Sequence, residues 1–497
     1  MHCMDGKDYS VFAVLPPYNT IHAQLLLRGE PPVKISTGVT ITYQAMADPT
    51  GSINSSSAGK TNFWNYVRTP FLNSVPPEVG LANYSTQGLT PHDLTFNPKE
   101  GFWEAVGIPT VPYDDKGKAN PYLMAKVVAK DANGNVLATA SIVVPVSDEM
   151  SCKNCHASGS NAAAQPKGGW VNDPNPLKDA KLNILKKHDD RWPIAQYLSQ
   201  LQSNGYQYEA SLYQTAVSGT PVLCAACHSD NALGVAGISG IRSLASDMHV
   251  LHGPQTNPAT GTTLDKATTD LGACYLCHPG PVTQCKRGAM STQSCTACHG
   301  TVSQVGNPAR APWLVEPSCQ MCHNTGQRLT TTFSSPGIWR KVTDTTFATN
   351  NNVPLPGTNL YRFSSGHGGV FCSACHGSPH AEFPTLQPND NIYSTNLQGH
   401  AGKIAECSVC HTNLPTTLNG GPHGMHTVGQ RWVSSHGDAA DRSGTRACSY
   451  CHGANYRGSA LSQTSAARTF RTEGGSKTWA AGHSVSCYDC HNGPNGG

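Results

Sequence analysis

The sequence predicts a chain in two parts. Residues 1–150 read as an all-β, sandwich-like domain, and residues 151–497 as a longer domain, mostly irregular with short α-helices. Three observations carry this. Apolar residues alternate between turn signals in the first part. The second is rich in Gly, Ser, Thr and Pro. One short motif, C-x-x-C-H, recurs nine times and only after residue 150.

In "VTITYQAMA", Val39, Ile41, Tyr43 and Ala45 fall on one face, as a half-buried strand requires. "YLMAKVVAKDANGNVLATASIVVP" is two strand-like runs joined through Asn133-Gly134, a hairpin signal. "YSVFAVLPP" and "HAQLLLRG" fit two further short strands. Several such strands with proline-rich punctuation point to a β-sandwich, whose core Phe63, Trp64, Phe102 and Trp103 would fill. Beyond Ser151, "LKDAKLNILKKHDD" and "WPIAQYLSQLQS" carry apolar residues at i, i+3, i+4 spacing and read as helices. They fall in the widest gap between motifs, His156 to Cys224. The third to fifth motifs crowd between Cys274 and His323, which predicts a compact cluster there.

Composition narrows the function. Only 13% of the 497 residues are charged and 38% are hydrophobic, with 49 Gly and 35 Pro, a lean supply of core-forming side chains. The net charge of +3 comes without a Lys/Arg run, so neither nucleic acid nor an acidic membrane surface is indicated. No run approaches the roughly 18 apolar residues of a membrane span. The first residues lack the charged and apolar regions of a secretory signal, so a mature, exported form is expected.

Eighteen of the 20 cysteines lie in the nine motifs. These are Cys152, Cys155 and His156; Cys224, Cys227 and His228; Cys274, Cys277 and His278; Cys295, Cys298 and His299; Cys319, Cys322 and His323. The remaining four are Cys372, Cys375 and His376; Cys407, Cys410 and His411; Cys448, Cys451 and His452; Cys487, Cys490 and His491. C-x-x-C-H is the attachment signature of c-type haem. Two thiols add across the porphyrin vinyl groups, and the adjoining imidazole reaches the iron from the same side. A thioredoxin-like pair or half a zinc site would not need a histidine after every second cysteine.

Thirteen histidines remain for other work, and haem iron takes a ligand on each face. Nine methionines, several far from any motif, make His/Met pairing throughout a poor fit, so bis-histidine ligation is expected. Ten histidines close to motifs or on helices are the candidates for the second ligand: His188, His249, His252, His367, His380, His400, His423, His426, His436 and His483. Ten candidates for nine positions means at least one is surplus. His380, in "FCSACHGSPH", would lie about 6 Å along a continued helix from His376, on the same side of its own haem. It is therefore expected to ligate a neighbouring iron. His2 and His22 are weaker candidates for a haem face, and His92 reads as a turn or cap residue.

The nine motifs, with "CSACHGSPH", "GPHGMH", "WVSSHGD" and "CSYCHGANYRG", resemble a large multihaem c-type cytochrome of the secreted or outer-surface kind found in metal-reducing bacteria. The likeness spans about Ser151 to Gly497. The first part, with "HCMDGKDYS" and "LPPYNTIHAQ", is similar to non-haem domains that accompany some of these cytochromes. The resemblance implies nine covalent haems stacked in a row with short helices around them, and extracellular electron transfer to minerals, electrodes or partner cells. It also implies redox partner cytochromes and, in some relatives, polymerisation into filaments.

Two other functions compete. A multihaem reductase of a nitrogen or sulfur oxyanion would need one haem with an exchangeable face, and the surplus of histidines argues against it. A β-domain that binds a surface or another subunit through its strand edges is compatible with electron transfer. Cys3 and Cys285 lie outside the motifs; a bridge between them, two separate thiols, and a coordinating role for Cys3 all remain open.

Overall fold

Two short parallel ladders tie the start of the chain to segments that run directly into motifs. His2–Cys3 pairs with Val146–Ser147, five residues before Cys152, and Phe12–Ala13 pairs with Val222–Leu223, immediately before Cys224. The structure is a computed structural model and describes residues 1–150, 152–310, 360–414 and 421–495. Glu316, Cys319 and the short strands Phe333–Ser335 and Ile338–Trp339 are described as well. No helix among the described residues is long and apolar enough to cross a membrane.

The described chain falls into two compact units. One comprises Met1–Ala23, Gly38–Lys286 and Gln293–Pro312; the other comprises Gln24–Thr37, Arg287–Thr292 and Trp313–Gly497. These bounds differ from a division at residue 150, because contacts, unlike composition, cross that point. "HAQLLLRG" shows the difference: it splits between the strand Tyr18–Ala23 in the first unit and Leu25–Leu27 in the second.

The first unit holds two antiparallel sheets. Val136–Val143, Met124–Asp131, Val39–Met46 and His92–Asp93 pair in that order, and Tyr18–Ala23, Phe102–Pro109 and Thr95–Asn97 form the other. Ile41, Tyr43 and Ala45 are buried, matching the alternation in the sequence, whereas Val39 is half-buried. The Asn133-Gly134 turn closes the hairpin its sequence predicts: Gly134 adopts φ +84°, and the Asp131 carboxylate accepts the N–H groups of Asn133 (2.9 Å) and Asn135 (2.8 Å). Glycine meets that left-handed conformation without a side-chain clash. His92 is a strand residue beside the Tyr43 ring, not a cap. "LKDAKLNILKKHDD" lies in the helix Pro176–Arg191, whose Asn175 side chain caps the Leu177 and Lys178 N–H groups. "WPIAQYLSQLQS" becomes a 3₁₀ turn, Ala195–Tyr197, running into the short helix Leu198–Ser203.

The core of this unit ignores the composition boundary. Met4, Tyr9, Phe12 and Phe63 pack in one cluster with Leu182, Leu185, Leu201, Tyr208, Val222 and Leu223. Lys181 enters the same region buried; its ammonium donates to the carbonyls of Asp8 (2.6 Å) and Phe12 (3.2 Å) and sits 4.7 Å from the Phe12 ring centre. A buried ammonium is tolerable only when so satisfied.

The second unit is built differently. Its described elements include the hairpin Leu25–Leu27 with Val33–Ile35, the helices Pro388–Gln398 and Gln430–Ser443, and the hairpin Arg468–Thr472 with Gly475–Trp479. A buried ion pair, Arg287 Nε to Asp390 Oδ2 at 2.5 Å, anchors the first helix. Phe371, Ala381 and Trp479 are the only buried hydrophobic residues among those described there. That is far too little apolar burial to hold the roughly 150 described residues of this unit by side-chain packing alone.

Phe63 is fully buried, edge-on to Tyr9, Tyr18 and Trp64 at 5.1–5.5 Å. Phe63→Ala is expected to cost about 3–5 kcal/mol. Hydrogen exchange should accelerate over residues 4–18 and 63–71 and leave the Pro388–Gln398 helix protected; unchanged exchange in the first two stretches would refute this packing account.

Candidate metal centres

A C-x-x-C-H run curls into a single helical turn. The Cys152 carbonyl accepts the N–H groups of Cys155 (3.2 Å) and His156 (2.9 Å), and the Cys224, Cys274, Cys407 and Cys487 carbonyls each accept the same two bonds. Residues three and four apart in such a turn share a face, so both thiols and the imidazole come together. Local caps set the ends. The Ser294 hydroxyl accepts the Ala297 N–H, and Gly300 (φ +79°) and Gly377 (φ +81°) stop their turns directly after the histidine.

Most of the motif thiols are shifted opposite to the lowered cysteine of a redox pair. Burial pushes Cys224 and Cys277 up to about 12, and Cys227 and Cys375 up to about 11. Cys274 is the exception, lowered by its hydrogen bond with Cys295. These two cysteines, from the third and fourth motifs, lie with an Asp270 oxygen inside a 4.8 Å cluster. Asp270 is already engaged by Lys286 Nζ (2.6 Å) and the Cys295 N–H (2.7 Å), so the cluster is the contact of two crowded motifs, its carboxylate spoken for.

Six histidine rings of the motifs face a second histidine. The ring centres are separated by 6.3 Å for His156 and His252, 5.9 Å for His278 and His249, and 5.8 Å for His411 and His367. They are 6.1 Å apart for His376 and His423, 6.2 Å for His452 and His426, and 5.9 Å for His491 and His436. Two imidazoles sharing one metal ion through bonds of about 2 Å have ring centres roughly 6 Å apart. Aromatic rings also pair at such distances without a metal. Each of these six contacts, however, joins a motif histidine to a non-motif histidine, a selectivity that ring packing does not require. A seventh motif histidine, His228, lies near enough to His188 to add to the burial that lowers the His188 pKa.

The rings are also oriented. Backbone carbonyls accept the Nδ1–H of His228, His249, His252, His426, His436, His452 and His491 at 2.6–2.9 Å. Glu30 receives that of His411 at 3.2 Å. A proton fixed on Nδ1 leaves the Nε2 lone pair for a metal, the usual supporting arrangement of ligating histidines. Burial lowers His156 and His426 to about 4, so both are neutral donors at physiological pH.

Single segments meet two motifs. The helix Leu244–His252 presents His249 and His252, one turn apart, to His278 and His156. His423 and His426 face His376 and His452. His367, five residues before Cys372, faces His411 of the next motif.

Three candidates sit otherwise. Both ring nitrogens of His400 are occupied, by the Ala401 carbonyl (2.9 Å) and Glu406 (3.1 Å), and His483 Nε2 bonds Asp489 at 2.9 Å. The sequence signal for this pair is a carboxylate six residues downstream, Glu406 and Asp489. His380 is not on a continued helix: Gly377 ends the turn, and Gly377–Ser378 folds back on Ala381–Glu382 with His380 in the bend. Its carbonyl accepts the Arg287 (2.8 Å) and Gly288 (3.1 Å) N–H groups. In the first unit, His2 Nε2 bonds the Pro16 carbonyl at 2.7 Å, and His22 stacks on Phe102. Cys322 and His323 of the fifth motif lie outside the described residues. No family model, curated protein or solved structure matches the chain.

Burial alone would raise the Glu406 carboxyl, but hydrogen bonds from Arg468 and His400 outweigh it and hold it below its ordinary value. A lowered carboxyl stabilises the fold above its unfolded pKa of about 4.3, and that contribution is lost as pH falls through the lower folded value. Exchange at residues 398–406 should therefore stay slow at neutral pH and rise only below about pH 4. Glu406→Gln should remove the pH step; a step that persists would contradict this assignment.

Proposed function

We propose that this chain is an electron carrier that holds nine covalent c-type haems and works outside the cell, passing electrons between redox partners and an extracellular acceptor. The observation that carries the reading is the set of six opposed histidine pairs, each joining a motif to a residue elsewhere in the chain. A haem iron with an imidazole on each face exchanges single electrons and offers no site to a substrate.

In this reading the cysteines of each motif tether a macrocycle and the motif histidine is the first axial ligand. His252, His249, His423, His367, His426 and His436 are the second ligands opposite His156, His278, His376, His411, His452 and His491, and His188 serves His228. Carbonyls at Nδ1 hold seven of these rings in the ligating tautomer, whereas the buried Nδ1 atoms of His156 and His188 have no such partner. Segments that serve two centres keep those centres adjacent, so the chain itself enforces short electron-transfer steps. The few buried apolar side chains of the second unit fit a domain whose interior is filled by macrocycles. Secretion, and self-association into a filament, follow from resemblance alone and belong to this proposal as its outer reach.

Seven second ligands are thus assigned, and His380 is the eighth, for a motif outside these seven. His400 and His483 are the surplus pair, so the ten candidates fill eight positions. The ninth iron face is where the oxyanion reductase alternative would act.

Intact mass of the purified full chain should show nine haems, and electron paramagnetic resonance of the oxidised protein should show low-spin iron with at most one high-spin centre. His252→Ala should add one high-spin centre, whereas His400→Ala and His483→Ala should add none. A colourless protein, or a His252→Ala spectrum identical to the parent, would overturn the proposal. A native high-spin signal that moves on adding nitrite or hydroxylamine would favour the reductase.

A further inference from the structure

We propose that Cys3 and Cys285 form a disulfide that staples the first strand of the chain to the loop following the third motif. The inference does not depend on the haem assignment, since neither cysteine belongs to a motif.

Backbone and side-chain contacts bring the two together through one relay. Cys3 lies opposite Ser147 in the parallel ladder, and the Met4 N–H donates to the Ser147 carbonyl at 2.9 Å. The Ser147 hydroxyl meets that of Thr283 at 2.9 Å, with both residues buried. Cys285 is two residues further on. Its loop is pinned from the same side: the Glu149 carboxylate accepts the N–H groups of Gly280 (3.2 Å), Val282 (3.0 Å) and Thr283 (2.7 Å). Gln284 then turns through a left-handed conformation (φ +48°), and the Cys285 N–H returns to the Pro279 carbonyl at 3.2 Å. A side-chain-bearing residue is disfavoured in that conformation, so the turn that leads into Cys285 is held by its surroundings.

The electrostatics agree. Burial, and next the Cys285 thiol, push the Cys3 thiol up to about 12. A thiol held so protonated is a poor metal ligand and a poor nucleophile, which speaks against the coordinating role.

The step is a thiol–disulfide exchange with an external disulfide, of a protein oxidase or a small molecule, as oxidant. The Sγ–Sγ bond between Cys3 and Cys285 forms as the oxidant's sulfur–sulfur bond breaks. The oxidant takes two electrons, and the two thiol protons end on its sulfurs.

The test uses the full chain purified without reductant, denatured in iodoacetamide, digested and mapped before and after reduction. Cys3 and Cys285 should be unlabelled before reduction, recovered in joined peptides, and both labelled after it. Label on either one before reduction overturns the proposal. Label on motif cysteines before reduction would count against haem attachment and leave this result standing. In a Cys285→Ser variant, Cys3 should label without reduction; a Cys3 that stays blocked there would show another partner and sink the inference.

Discussion

The proposed haem sites hang on six pairs of imidazoles, one of a motif and one from elsewhere in the chain, whose ring centres lie 5.8–6.3 Å apart. Such a pair is an awkward thing for a polypeptide to keep. Each ring is polar and partly or fully withdrawn from water, and burial costs a polar group its hydration unless something replaces it. The protein meets half of that need with carbonyls at Nδ1. Burial does the rest of the tuning by keeping rings such as His156 and His426 unprotonated. A ring so held keeps its Nε2 lone pair for a metal, and the proposed haem iron would take one such nitrogen from each side.

The two units are built differently around their motifs. The first has a packed aromatic and aliphatic core that runs from Met4 and Phe63 through Leu185 to Leu223, and its motifs at Cys152 and Cys224 follow directly on strands pinned by the start of the chain. Residues 1–23 are thus part of the scaffold of the first two motifs as well as of the sheets. Among its described residues the second unit has few buried apolar side chains, and its contacts there include turns, short hairpins and polar anchors such as Arg287–Asp390 and Glu406–Arg468.

The motifs and the hairpin at Asn133-Gly134 were legible in the sequence because each is local. Four or five residues close a turn, and the turn needs nothing from elsewhere. Which histidine faces which motif was not legible, because it depends on contacts between residues far apart in sequence, such as His156 with His252. Local context even misled: His400 and His483 precede motifs much as His367 does, yet nearby carboxylates hold them. The carboxylates sit immediately before Cys407 and inside "CYDCH", so attention to charge beside the motifs would have separated these two from the rest. His380 was placed on a helix that Gly377 does not allow to continue. The boundary at residue 150 followed composition, and composition does not record that Phe12 pairs with Val222.

The central claim is that metal lies between these rings, and locating the iron tests it most directly. An electron cryomicroscopy map or an anomalous iron map of the full chain should place one iron midway between the rings of each of the six pairs, with porphyrin density joined to both cysteines of the motif. Iron found elsewhere, or rings in those pairs that bond to each other or to water with no metal between them, would contradict the account.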